Sequence, residues 1–337
     1  MVKITDVAKL AGVAPSTVSN VLSGNKYVSE ELKKKVLAAC EQLDFHPNFF
    51  ASGLSCGKTN IIALLLENNA DFSQNAFYKD LIAACLEEAA KFGFSLLVYY
   101  NSDKNKLLDT LRQGMAPIDG AVLMAPCVND ERLQQMKSNC INCVVIGRPD
   151  TSDLSYVDVD NAELVHDVTE ELFGRYEKVY LINSLHNMTI SEDRRKGFLE
   201  ACEAKGINGD DFILESSNGS EELGYWIAKS IVDKDIAIIT ANGRTARGVY
   251  RAAKEKGYEI GDEVGVFALG WSQLQKPIEP SLSYATQDYT LLGKTAIDLL
   301  IEEIRNNVDR KVVLVKSGVI KADSTVRNRH LSKVANR

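Results

Sequence analysis

Arginine is missing from the first sixty residues of this 337-residue chain. Positive charge there comes only from lysines 3, 9, 26, 33, 34, 35 and 58, set against acids 6, 30, 31, 41 and 44, a balance of +2. The whole chain carries −7, so the remainder carries −9. That total argues against a protein that coats nucleic acid, yet a mildly basic segment ahead of an acidic body suits a local DNA footprint. Long apolar runs are missing too. Nothing approaches the ~18 residues of a membrane span, and the first residues lack the charged-then-apolar pattern of a secretory signal. A cytoplasmic location without membrane contact is therefore expected. Four histidines (46, 166, 186 and 330) show no metal spacing, so no metal or cofactor is expected. Seven cysteines are an odd number scattered through apolar runs, which fits reduced thiols. Cys140 and Cys143 form one C-x-x-C without a second pair; both are expected as buried thiols at the entry to the strand Cys143–Ile146. There is no G-x-G-x-x-G, and Gly57-Lys58-Thr59 is no P-loop, because only three residues separate Gly53 from Gly57 where four are required. Enzyme chemistry has no foothold here.

What is present begins at Ile4. Ile4, Val7, Ala8 and Ala11 recur at helical spacing after Thr5, a candidate N-cap, and Gly12 suits the turn that ends the run. A second run has Pro15 in its first turn and Val18, Val21 and Leu22 on one face. Ser16, Asn20 and Ser23 point the other way, flanked by Thr17 and Ser19. A short helix offering small hydrogen-bonding groups outward is what a helix-turn-helix lays in the major groove, although a generic helical hairpin has the same pattern. Ser29 can cap a third helix with Glu30 and Glu31 at its positive end, and Val36, Leu37, Cys40 and Leu43 would close a three-helix core. Lys33 to Lys35 form either a phosphate-reaching run or a solvated face.

From Asn60 onward strand-like runs alternate with helical stretches. The strands are Ile61–Leu66, Leu96–Tyr100, Ala121–Ala125, Val144–Ile146, Val179–Ile182, Ala237–Thr240 and Val264–Leu269; the helices include Lys79–Phe92, Arg194–Lys205 and Ala246–Lys256. This alternation argues for parallel sheets covered on both faces, with ligands beyond the carboxyl ends of the strands.

The letters Ile4-Thr5-Asp6-Val7-Ala8, Ala11-Gly12-Val13, Thr17-Val18-Ser19, Val28-Ser29-Glu30-Glu31, Leu43-Asp44-Phe45-His46-Pro47-Asn48 and Ala51 to Leu54 closely resemble the headpiece of the lactose-repressor/galactose-repressor family of transcription regulators. The resemblance implies an all-α helix-turn-helix headpiece over residues 1–47, a hinge helix over 48–58, a two-lobed α/β body like periplasmic binding proteins over 59–325, and a tail over 326–337. Lobe 1 would span about 59–157 and 286–319, lobe 2 about 158–285 and 320–325, with crossings near Val157–Asn161, Tyr284–Asp288 and Gly318–Ala322. It also implies a homodimer on double-stranded operator DNA, acting as a repressor under control of a small-molecule effector. No leucine heptad at the C-terminus is long enough for a tetramer. A two-lobed solute-binding protein or an α/β enzyme is the competing reading, and both leave the first sixty residues unexplained.

Carried over by position, the DNA-contacting candidates are Thr5, Pro15, Ser16, Thr17, Ser19, Asn20, Asn25, Lys26, Asn48 and Leu54, the last as a minor-groove wedge. The effector-binding candidates are Phe77, Tyr78, Arg148, Arg194, Asn242, Gly270 and Tyr289, with Asp160-Asn161 as a lobe-crossing motif. The chain also departs from the family. Gly243 and Gly270 stand where the family has aspartates, while Arg148, Arg194, Arg244 and Arg247 lie in or near strand-end loops. Arginine pairs bidentately with phosphate or carboxylate, so an anionic effector such as a sugar phosphate is favoured over a neutral sugar. Asn20 and Ser52 replace family arginines, and Ala14 replaces a capping serine at a cost of ~1 kcal/mol. Without arginine, an operator read mainly at A·T pairs is expected, because asparagine pairs bidentately with adenine.

Overall fold

A computed structural model describes residues 2–23, 27–45, 59–66, 76–100, 118–185, 187–216, 219–271, 277–306 and 308–326. The chain divides into two compact units, residues 1–61 with 117–119, and the rest.

In the first unit, α1 (Ile4–Ala11), α2 (Pro15–Ser23) and α3 (Glu30–Gln42) surround a core of Val7, Ala8, Val18, Val36, Ala39 and Cys40. Helix α1 starts two residues earlier than Thr5 capping requires. Lys3 is its N-cap, and the Asp6 carboxylate accepts the Lys3 N–H at 2.9 Å, so Thr5 lies inside the first turn. Gly12, at φ +66, closes the helix by donating its N–H to Ala8 O. Ser29 does precede α3, without a side-chain capping bond. Leu37, expected in the core, is exposed, and Ala39, two residues on and so about 200° round the helix, is buried instead.

The second unit holds two six-stranded sheets. Lobe 1 is built on β1 (Ile61–Leu66), β2 (Ser95–Tyr100), β3 (Gly120–Met124), β4 (Asn142–Ile146), β5 (Ser155–Val159) and β11 (Val312–Val315), with α4 (Ala76–Lys91), α5 (Glu131–Ser138) and α10 (Tyr289–Asn306). Lobe 2 has β6 (Lys178–Asn183), β7 (Ile213–Glu215), β8 (Ile236–Thr240), β9 (Val264–Ala268), β10 (Ser283–Thr286) and β12 (Gly318–Ile320), with α6 (Asn161–Phe173), α7 (Thr189–Glu203), α8 (Glu221–Ile231) and α9 (Gly243–Glu255). The sheet orders are β11-β5-β4-β3-β1-β2 and β12-β10-β9-β8-β6-β7, one permutation used twice. They differ at one edge: β11 runs parallel to β5, whereas β12 runs antiparallel to β10.

Sandwiching explains the continuous apolar strands. Along β8, Ile236 and Ile238 face the α8–α9 layer while Ala237 and Ile239 face the α6–α7 layer, the alternation of a strand covered on both sides.

The chain crosses between lobes after β5, after β10 and between β11 and β12. The last crossing falls before Gly318, which already pairs with Thr286 in the second sheet, rather than at Gly318–Ala322. The first two crossings end on an acid that starts a helix. Asp160 accepts the Glu163 N–H at 2.9 Å to cap α6, and Asp288 accepts the Leu291 N–H at 2.8 Å at the start of α10. Each cap contributes about 1 kcal/mol and fixes where the crossing strand stops. Cys143 is buried, and burial pushes its thiol up to about 12. Cys140, against expectation, is exposed at φ +52, in the turn that joins α5 to β4. No helix among the described residues is long and apolar enough to cross a membrane.

Candidate nucleic-acid interface and effector cleft

In the first unit α2 buries Val18 and half-buries Val21 and Leu22. Pro15 and Ser16 are exposed, and Thr17, Ser19 and Asn20 are half-exposed. This leaves a polar face of hydroxyls and one carboxamide, the donor and acceptor types that read base edges. Thr5 is exposed on α1. Asn25, Lys26, Asn48 and Leu54 lie outside the described residues. On α3, Lys33 and Lys35 pair with Glu30 at 3.8 Å and Glu31 at 2.8 Å. The lysine run is therefore partly neutralised by its own helix.

In the second unit the carboxyl ends of both sheets converge on charged groups. Arg194, in the second turn of α7, is 5% exposed, and its Nε has no hydrogen-bond partner among the described residues. Burial lowers the guanidinium to about 10, still fully protonated at neutral pH; Tyr289 and Asp158 oppose the shift. Burial raises Tyr289, at the start of α10, to about 12. Asp158, at the end of β5, is pushed up to about 6 by burial, although it accepts the Arg148 N–H at 2.9 Å, the Val159 N–H at 2.7 Å and Asn161 Nδ2 at 3.3 Å. Arg148 meets the buried carboxylate of Asp193 with its own guanidinium. Asn161 Oδ1 and Ser191 Oγ are also buried without partners among the described residues. Unsatisfied buried polar atoms gathered where two lobes meet are what a polar ligand or ordered water would satisfy. Among the described residues no cluster has metal-ligand character.

The comparisons with known proteins agree across both units. Residues 3–48 match the profile of bacterial regulatory proteins of the lacI family, and residues 173–325 match a periplasmic binding protein-like domain. The chain belongs to the LacI family. It is a sequence-specific DNA-binding transcriptional regulator. The transcriptional repressor PurR of Photobacterium profundum is 28% identical over 324 residues, covering 93% of this chain and 95% of that one. The lac repressor dimer bound to operator and an anti-inducer superposes with a TM-score of 0.79 at 20% identity, covering 96% of this chain and 99% of that one. The regulator CelR in complex with cellobiose gives 0.73 at 21%, covering 96% and 100%.

Within this LacI-family body, the structure brings Arg148, Arg194, Gly270 and Tyr289 together. A Cβ built on Gly270 would lie 3.8 Å from Tyr289 Oη, its sole neighbour within 4 Å among the described residues. Asn242 is committed to its own helix, with Oδ1 accepting the Arg244 and Thr245 N–H groups at 2.9 and 3.0 Å. It holds its place beside Gly270 through the Gly243 N–H, which donates to Gly270 O at 2.8 Å. Tyr78 is 3% exposed and packs into the lobe 1 core with Leu81 and Cys85, the cluster against which Tyr289 also packs. Its neighbour Phe77 belongs to α4, and its side chain lies outside the described residues. The arginine excess is smaller than the sequence suggests. Arg148 is paired, Asp158 stands beside Arg194, and Arg247 lies over Trp271 at 5.3 Å from the ring centroid. Sequence reasoning missed Asp158 and Asp193. Asp158 sits two residues before the Asp160-Asn161 motif and Asp193 directly before Arg194, so adjacency to landmarks was the available signal.

Proposed function

We propose that this regulator works as a homodimeric repressor whose two headpieces read the half-sites of one operator, and that its effector binds between the lobes against Arg194, Asp158 and Tyr289. The buried Arg194 with its unpartnered Nε supports the site most strongly, because a desolvated cation facing a cleft is stable only where a ligand or water completes its shell. The local charges are nearly balanced, two guanidiniums against two carboxylates. A neutral, hydroxyl-rich ligand uses such mixed donors and acceptors better than an anion does, and this reading replaces the anionic effector suggested by counting arginines. The cellobiose bound by the CelR neighbour is of that chemical type. DNA recognition would come from Ser16, Thr17, Ser19 and Asn20 on α2, with an A·T-rich half-site read through Asn20. Effector and operator are coupled if each prefers a different arrangement of the lobes.

The test is binding to DNA from the gene's own upstream region and to scrambled DNA across a salt series. Tight binding to the first over a weaker, steeply salt-dependent background on the second is expected. Release of that DNA then screens neutral mono- and disaccharides beside their phosphate esters. Equal weak binding to both DNAs would sink the regulatory reading; release by phosphate esters alone would restore the anionic effector.

A further inference from the structure

The loop that follows β3 is built at some cost in backbone conformation. Ala125 at φ +50 and Asn129 at φ +55 are both non-glycine residues in the left-handed region, an uncommon choice that persists only where surrounding structure enforces it. The enforcement is visible. Asp130, 7% exposed, accepts the Cys127 N–H at 3.1 Å and pairs with Arg132 at 2.6 Å, and Arg132 in turn donates to Ala125 O at 3.1 Å. Gly147, at φ +107 beyond β4, supplies the room: a Cβ there would stand 2.8 Å from Pro126 Cδ.

This braced loop points at the other lobe. Pro126 O accepts both the N–H and the Oγ1 of Thr189, at 3.2 and 3.1 Å, and the Val128 N–H donates to Asn187 O at 2.8 Å. Cys127 and Met188 thereby form an antiparallel bridge between lobe 1 and the residues leading into α7. One turn further along α7, Asp193 meets Arg148 from the loop after β4. The N-terminal turn of the helix that carries Arg194 is thus fastened to lobe 1 by backbone, by a buried hydroxyl and by charge.

We propose that this fastening is a lobe-to-lobe latch that sets the balance between closed and open arrangements of the body, with Arg148 acting as its charged half rather than as an effector ligand. The latch rests on the cleft being the effector site, because its consequence is to decide how readily Arg194 is presented there. Three cross-lobe hydrogen bonds and a single ion pair, presented by a loop already braced within lobe 1, give the closed form a modest, adjustable advantage, which is what a switch element needs.

The experiment is amide hydrogen exchange by mass spectrometry on the full chain, following segments 126–130 and 187–193 beside β3 and β8 as core references. Slow exchange of the latch segments is expected in the parent protein. Asp193→Asn and Thr189→Val should each speed it about tenfold while the references stay unchanged, and the charge swap Arg148→Asp with Asp193→Arg should restore most of the protection. Parent latch segments that exchange as fast as exposed loops, or single variants with unchanged rates, would overturn the proposal. A swap no better than Asp193→Asn would do the same. The DNA titration above is read separately: loss of operator specificity would remove the regulatory reading and leave the latch result standing.

Discussion

The headpiece and the body of this chain solve the problem of a polar functional site in opposite ways. The headpiece core is six apolar residues, and among the described residues it buries no polar or charged side chain. The hydroxyls and the carboxamide on the polar face of α2 are exposed or half-exposed. The body instead buries Asp158, Asp193 and Arg194 between its lobes. Burial of charge is expensive, and it is sustained here by three donors to Asp158 and by the Arg148–Asp193 pair. One unit should therefore respond to salt, and the other to pH and to ligands that complete its buried shell.

The sharpest way to break that contrast is at Asp158. Its folded carboxyl titrates near 6 against an ordinary 3.8, so the folded protein binds the extra proton. Stability from this group is greatest below about pH 4 and falls as pH rises through 6, by on the order of 3 kcal/mol in all. Asp158→Asn should flatten that slope and raise body stability at pH 7.5, less about 1 kcal/mol for the lost acceptor. Thermal unfolding at pH 5 and 7.5 checks it; a parallel slope in both proteins would place the titration elsewhere. The headpiece should show no comparable slope. Its weak point is Val18, fully buried in a very small core. Val18→Ala removes two methyl groups and leaves a cavity, costing about 2 kcal/mol, a large fraction of what so small a module holds. Specific DNA binding should then fall steeply while the body's melting transition stays where it was.

How much of this could be read from sequence follows the same division. The headpiece was legible almost to the residue, because its chemistry is local: helical spacing puts Val18 inward and Ser16 outward without knowledge of any other segment. The N-cap placed at Thr5 and the core position placed at Leu37 were each two residues out, the limit of periodicity alone. Seven strands of the body were legible because burial on both faces makes them unbroken apolar runs, whereas β5 and β10, which mix serine, aspartate and threonine with apolar residues and were read only as crossings, and the short edge strands β7, β11 and β12, mostly exposed or half-exposed, carry no such signature. The cleft was legible only in part. Arg194 and Tyr289 were found by their place in motifs, but the carboxylates that neutralise the arginines, Asp158 and Asp193, come from two different lobes. Their pairing is a fact of tertiary structure that a count of arginines along the sequence does not contain.

Two smaller changes sharpen the account of the headpiece. Ala14 directly precedes α2, and its carbonyl accepts the Thr17 N–H at 2.9 Å and the Val18 N–H at 3.3 Å; it has no side-chain oxygen for the orphan N–H groups of the first turn. Ala14→Ser should add about 1 kcal/mol to headpiece stability, seen as a higher headpiece transition with operator sequence preference unchanged. The smallest effect is expected at the lysine run. Lys33 and Lys35 are engaged by Glu30 and Glu31, while Lys34 is exposed and has no such pair among the described residues. Of the three, Lys34 keeps its full charge for a phosphate. Lys34→Ala should lower the slope of log affinity against log salt by about 1, equally on operator and scrambled DNA, because a phosphate contact carries no sequence information. The same substitution at Lys33 or Lys35 should change the slope less, because losing either lysine also releases an acid that its helix had held in check. If all three substitutions left the slope untouched, α3 would be a solvated face, and the headpiece would have to meet the phosphates through α2 and its neighbouring turns alone.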